Sequence, residues 1–86
     1  MNTMKKLKAR DNRNQKYLLD LGKRIQTAII LAGYASVYDF WIHCCEENGI
    51  ARSTLNYIVA GQTDPKITTL RTIAECLGVS ITQLLG

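Results

Sequence analysis

Glycine or proline breaks the chain at Gly33, Gly49, Gly61, Pro65 and Gly78, and between these breaks the apolar residues recur at three- and four-residue intervals. That interval places them along one side of a helix of about 3.6 residues per turn, and breaks this close together leave room only for short helices. No stretch alternates apolar and polar residues as a half-buried strand does. The chain therefore reads as all-α. With 86 residues it supports one core, because a chain of this size buries only about two thirds of its surface.

The helix limits follow from local signals. Leu18, Leu21, Ile25, Ala28, Ile29 and Ala32 mark a first helix over 18–32, ended by Gly33. Ser36 caps a second helix, with Asp39 placed to bond back to the Ser36 amide. Val37, Phe40, Trp41, Cys44 and Cys45 give that helix one apolar face before Asn48 and Gly49 stop it. A third helix over 52–60 turns Leu55, Ile58 and Val59 inward, and a fourth over 67–77 uses Ile67, Leu70, Ile73, Ala74 and Leu77 as its stripe. Pro65 keeps the loop between them from continuing as helix. Ser80 opens a short fifth helix, with Gln83 completing a capping box and Val79 and Leu84 forming a hydrophobic staple.

Charge divides the chain in two. Residues 1–16 carry six basic side chains (Lys5, Lys6, Lys8, Arg10, Arg13, Lys16) against Asp11, whereas residues 17–86 carry five basic and six acidic ones. The leader has no apolar periodicity, so 1–16 reads as a basic, mobile N-terminal arm and 17–86 as the folded domain. Such an arm suits a polyanionic partner, or it is a solvated tail that aids solubility.

Several classes of function are excluded on composition. No apolar run reaches the length of a spanning helix, and a polar stretch from Asp11 to Asn14 follows the basic start, so neither a membrane segment nor a secretory signal is expected. A cytoplasmic protein with reduced thiols is the expectation, three cysteines being an odd number and Cys44 and Cys45 being adjacent. His43, Cys44, Cys45 and Cys76 do not make a metal site, since consecutive helical residues point in different directions. One histidine, with no nucleophile elbow, phosphate loop or paired carboxylates, leaves no catalytic residues to assemble and no cofactor or small-molecule substrate to bind.

The spacing around Gly49 is the most specific signal. Counting from Trp41, the fifth residue is small (Cys45), the ninth is Gly49, and the fourth, tenth, fifteenth and eighteenth are apolar (Cys44, Ile50, Leu55, Ile58). A small fifth residue lets two helices approach, a glycine at the ninth takes positive φ, and Leu55 and Ile58 anchor the second helix while its outer face stays free. This pattern, followed by GQTDP and LRTIAECLGVSITQLLG, resembles the XRE family of helix-turn-helix regulators, which includes the phage repressors and Cro. The resemblance covers residues 17–86 and implies a five-helix, lambda-repressor-like DNA-binding domain with a basic N-terminal arm.

Position by position, the resemblance places Arg52, Ser53 and Tyr57 where the family reads base edges, and Thr54 and Asn56 where it touches backbone or flanking bases. Gln62, Thr63 and Lys66 fall in the loop that the family lays along phosphates. The residue chemistry agrees, because arginine can donate two hydrogen bonds to guanine O6 and N7. The implied function is a repressor that reads a palindromic operator as a homodimer, with the exposed side of helix five around Gln83 and Leu85 as a seam. The alternative is a protein-interaction module such as an antitoxin, whose main partner is another protein. A chain ending after helix five leaves no room for a ligand-sensing domain, which favours a Cro-like repressor, a restriction controller or an antitoxin.

Three departures from the family pattern stand out. Its usual arginine–glutamate pair is replaced by Ile29 and Val59, a change that an apolar core tolerates. Gly33 and Gly49 are sixteen residues apart, about five more than the family spacing, so helix two starts about one turn early and the family's cap and phosphate-contacting glutamine fall at Phe40 and Trp41. The added turn is aromatic: Trp41 and Tyr38 are placed to touch DNA, to form a dimer surface or to enlarge the core, core being favoured for Trp41. Ala51 replaces the usual serine or threonine cap of helix three, a loss of about 1 kcal/mol. If the leader neutralises phosphates, deleting residues 1–16 flattens the dependence of DNA affinity on salt; an unchanged slope in a salt titration refutes the arm.

Overall fold

A computed structural model describes the backbone of residues 2–86 and the side chains of residues 15–86. The order is α1 (Asn2–Leu31), α2 (Val37–Phe40) running on as a π-helical segment (Trp41–Cys45), α3 (Arg52–Val59), α4 (Ile67–Leu77) and α5 (Ile81–Leu85), with no strand among the described residues. α1 begins at Asn2, well ahead of residue 18. An apolar stripe marks only the stretch of helix that meets a core, so it sets no N-terminal limit. The side chains of Lys5, Lys6, Lys8, Arg10 and Arg13, the expected arm, lie outside the described residues.

One core joins all the helices. Ile25 and Ile29 of α1, Phe40 of α2, Leu55 and Ile58 of α3, Ile73 of α4 and Leu84 of α5 are all buried to within 2% of complete exclusion from solvent. Tyr34 sets its ring edge-on to Phe40 at 5.1 Å between centroids, closing the side of the core next to the α1–α2 turn. The helix ends follow the sequence signals. At the end of α1 the Gly33 amide donates to the Ile30 carbonyl and the Tyr34 amide to the Ile29 carbonyl, at 3.0 and 3.2 Å, which satisfies carbonyls that the helix leaves open. Ser80 and Gln83 form the reciprocal capping box, Leu84 is buried in the core and Val79 packs partly against that core.

Helix two holds the main surprise. Ser36 caps it as expected, its Oγ accepting from the Asp39 amide at 3.0 Å, but the Asp39 carboxylate accepts from the Ala35 amide rather than that of Ser36. The helix then widens, and the Glu46 amide reaches back five residues to the Trp41 carbonyl at 2.9 Å. Phe40 and Cys45 are both fully buried. In a regular α-helix residues five apart sit ~140° apart around the axis. Widening the turn reduces that overshoot and lets both side chains face the core.

Three expectations are corrected. Cys44 and Cys76 are joined in a disulfide that ties the π segment to α4, their Cα atoms 6.1 Å apart, so only Cys45 is a free thiol. The pairing joins residues 32 apart in sequence on two different helices, and no local spacing announces it. Ile67 is 63% exposed rather than part of the α4 stripe. It is the first residue of its helix, and side chains tilt toward the helix N-terminus, which carries this one past the edge of the core. Ala32 is likewise exposed, one residue beyond the end of α1.

Gly22 marks a close approach of α1 to α3. A Cβ there would collide with the Val59 carbonyl, which is backbone and cannot swing aside. Alanine at this position raises helix propensity by about 1 kcal/mol, whereas overpacking costs about 1–3 kcal/mol. Gly22→Ala is therefore expected to lower the urea unfolding midpoint despite the better helix former; a raised midpoint would show that the two helices separate easily.

Candidate functional site

The site is built on the turn between the π segment and α3. Gly49 adopts φ +80°, a region open to glycine at no steric cost. Its amide donates to the Glu46 carbonyl and the Ile50 amide to the Cys45 carbonyl, both at 3.1 Å. Two side chains lock the turn further. Trp41 Nε1–H donates to the Ile50 carbonyl at 2.8 Å, and Asn48 Nδ2–H donates to the Cys44 carbonyl at 2.7 Å. Trp41 is also packed against the core. Its indole thereby does a second task, fixing the backbone immediately before α3.

α3 starts at Arg52 after Ala51, which offers no side-chain cap. Leu55 and Ile58 are buried, at 0% and 1% exposure, and Val59 packs partly against the same core. The opposite side is therefore outward. Arg52, Ser53, Thr54, Asn56 and Tyr57 are all exposed, and Arg52, Ser53, Asn56 and Tyr57, at i, i+1, i+4 and i+5, share one helical face. Ile29 and Val59, the positions of the absent arginine–glutamate pair, are a buried and a half-buried member of the core.

Arg52 has a neighbour that sequence spacing left open. Its guanidinium carbon lies 4.6 Å from the centroid of the Tyr38 ring, within the range of a cation–π contact. Tyr38 in turn lies 5.9 Å from Trp41, ring centre to ring centre. The extra turn of helix two thus reaches across to the first residue of α3. The signal was present as an aromatic i, i+3 pair in an added helical turn, but its target lies fourteen residues away and was not readable.

The loop after α3 closes the site on its other side. Gln62 and Lys66 are exposed and Thr63 is half-buried. A cleft of about 410 Å³ separates this loop from the start of α3, with Thr54, Ile58, Thr63, Lys66 and Thr69 in its walls. The described charge is sparse here: Arg52 and Lys66 are the basic side chains of the turn, α3 and loop, against Glu46, Glu47 and Asp64. The site's donors are therefore mainly neutral hydroxyls and amides, with one guanidinium and one ammonium. Cys45, sealed under the turn, has its thiol pushed up to about 11 by burial, so it stays protonated and unreactive at neutral pH.

Residues 46–84 match the profile of the family described as Helix-turn-helix. No curated protein and no solved structure matches the chain. The matched stretch starts just after the π segment and runs through the turn, α3, the loop and α4 into α5. It leaves out α1 and the whole of helix two, including the aromatic turn.

The tie between Trp41 and the turn yields a direct test. Trp41→Phe keeps an aromatic ring but leaves the Ile50 carbonyl without its donor, a loss of about 1 kcal/mol. A lowered denaturation midpoint followed by circular dichroism is the expected outcome; an unchanged midpoint would mean that water replaces the indole at no cost.

Proposed function

We propose that this protein is a DNA-binding transcriptional repressor of the XRE type that reads a palindromic operator as a homodimer, a reading supported by the match of residues 46–84 to the Helix-turn-helix family. The observation that carries the reading is the outward polar face of α3 set opposite its buried anchors. Arg52, Ser53 and Tyr57 face base edges in a major groove, where the guanidinium fork matches guanine O6 and N7. Thr54 and Asn56 meet the flanking bases or backbone, and Gln62, Thr63 and Lys66 lie along phosphates that position the domain without specifying sequence. The basic leader, with Lys5, Lys6, Lys8, Arg10 and Arg13, supplies the phosphate neutralisation that residues 17–86 lack.

One recognition helix of eight residues reads few base pairs, so two copies about 34 Å apart on the duplex give the site its length. The protein-facing side of the molecule supports the dimer. Ile30 and Leu31 are 68% and 81% exposed at the end of α1, beside a groove between α1 and α5 whose walls include Leu77, Val79, Gln83 and Leu84. Gln83 of α5 is exposed and Leu85 half-buried, so the exposed side of α5 around them, together with the groove beside α1, forms the seam of the proposed dimer. The same apolar surface is what a module whose main partner is another protein, such as an antitoxin, would use.

Selection of bound fragments from random duplex DNA tests this reading: enrichment of a palindrome is expected, and indifference to duplex DNA in dilute buffer would refute it. Within the selected site, Arg52→Ala relaxes preference at one base position per half-site, by about 1–3 kcal/mol, whereas Lys66→Ala weakens all sequences alike. A uniform loss from Arg52→Ala would remove it from the reading residues.

A further inference from the structure

Arginine at the first position of a helix is poorly placed on local grounds. The N-terminus of α3 has neither an acidic residue in its first turn nor a side-chain cap, and the helix dipole disfavours positive charge there. Among the described residues no carboxylate forms an ion pair with Arg52. What holds it is the face of Tyr38, 4.6 Å from the guanidinium carbon.

We infer that Tyr38 is a positioning residue for DNA recognition, holding the Arg52 guanidinium over its ring so that the arginine is presented to one base. The inference rests on the DNA-binding reading above. A contact made through the ring face takes up no hydrogen-bond acceptor, so N–H donors of the guanidinium fork remain available to a base edge. It also removes side-chain freedom before binding, so less is lost when the hydrogen bonds form. The ring itself is anchored. Helix two is capped at Ser36, and Tyr38 rests beside Trp41, whose indole is bonded to the Ile50 carbonyl two residues before Arg52. One aromatic pair therefore fixes the backbone leading into α3 and the side chain that opens it. Tyr38 remains 46% exposed, so the stack lies at the surface that α3 presents.

The experiment has a DNA-free arm and a DNA arm. In the free protein, NMR of the wild type is expected to show Arg52 δ and ε protons shifted upfield by the Tyr38 ring, the shift disappearing in Tyr38→Ala; unshifted protons overturn the stack whatever the DNA results. In the second arm, fragments from a random-sequence duplex library retained by the wild type, Tyr38→Ala, Tyr38→Phe, Arg52→Ala and the Tyr38→Ala/Arg52→Ala double variant are sequenced, and each protein is titrated against the duplex enriched by the wild type. Tyr38→Ala is expected to reduce the preference at the Arg52-read position about threefold to fivefold, Tyr38→Phe to restore most of it, and Tyr38→Ala to have no further effect once Arg52 is gone. Additive losses in the double variant, or a Tyr38→Phe as poor as Tyr38→Ala, would overturn positioning and make Tyr38 an independent contact through its hydroxyl. Shifted protons together with a wild type that retains no duplex would overturn the DNA reading and the recognition role, while leaving the stack as a feature of the fold.

Discussion

An eight-residue helix has no lasting stability of its own in water, because nucleating a helix fixes several residues for the first hydrogen bond and so short a run adds few more. α3 exists because Leu55 and Ile58 are taken wholly into the core, each contributing about 1.5–3 kcal/mol of burial. The same two contacts decide which way the helix faces. With its apolar residues held inward and Gly22 of α1 allowing the backbone of Val59 to come close, the side carrying Arg52, Ser53, Asn56 and Tyr57 is turned outward, with Arg52 set over the Tyr38 ring. Exposure of the polar face is thus a by-product of packing and needs no interaction of its own.

Helix two shows how an added turn is accommodated. The extra residues do not loop out; they extend the helix back to Ser36, and the widened segment from Trp41 to Cys45 restores Phe40 and Cys45 to one buried side. The outer part of that extension is aromatic, and it lands on the start of α3. The geometry at this joint is held by ring faces, the hydrogen bonds of the Trp41 indole and the Asn48 amide, and backbone bonds across the turn. Short-range contacts of this kind are less sensitive to salt than attraction between exposed charges at a distance.

Much of this architecture is local in origin and could be read from the residues. The bounds of α4, the box at Ser80 and Gln83, the ends at Gly33, Gly49, Gly61 and Gly78 and the bare cap at Ala51 each depend on neighbours within a few positions. What escaped was non-local. The bond between Cys44 and Cys76, the widening that brings Cys45 under the turn, and the meeting of Tyr38 with Arg52 depend on how separate helices dock. Ile67 was misplaced for a simpler reason, since helical spacing gives a direction around the axis but not the distance to the end of the core. The outward face of α3 was legible because it is the complement of Leu55 and Ile58, whereas the partner of its first residue was not.

The chain contains a single tryptophan, and it stands at the joint between the two helices of the motif. Its ring nitrogen is engaged by the carbonyl of Ile50, and its nearest aromatic neighbour, Tyr38, lies under the guanidinium of Arg52. Nature has therefore left an optical reporter at the place where any ligand of α3 would be felt. Changes in emission intensity or wavelength of this one fluorophore register events at that joint without a dye, a tag or a second chromophore of the same kind to confuse the signal.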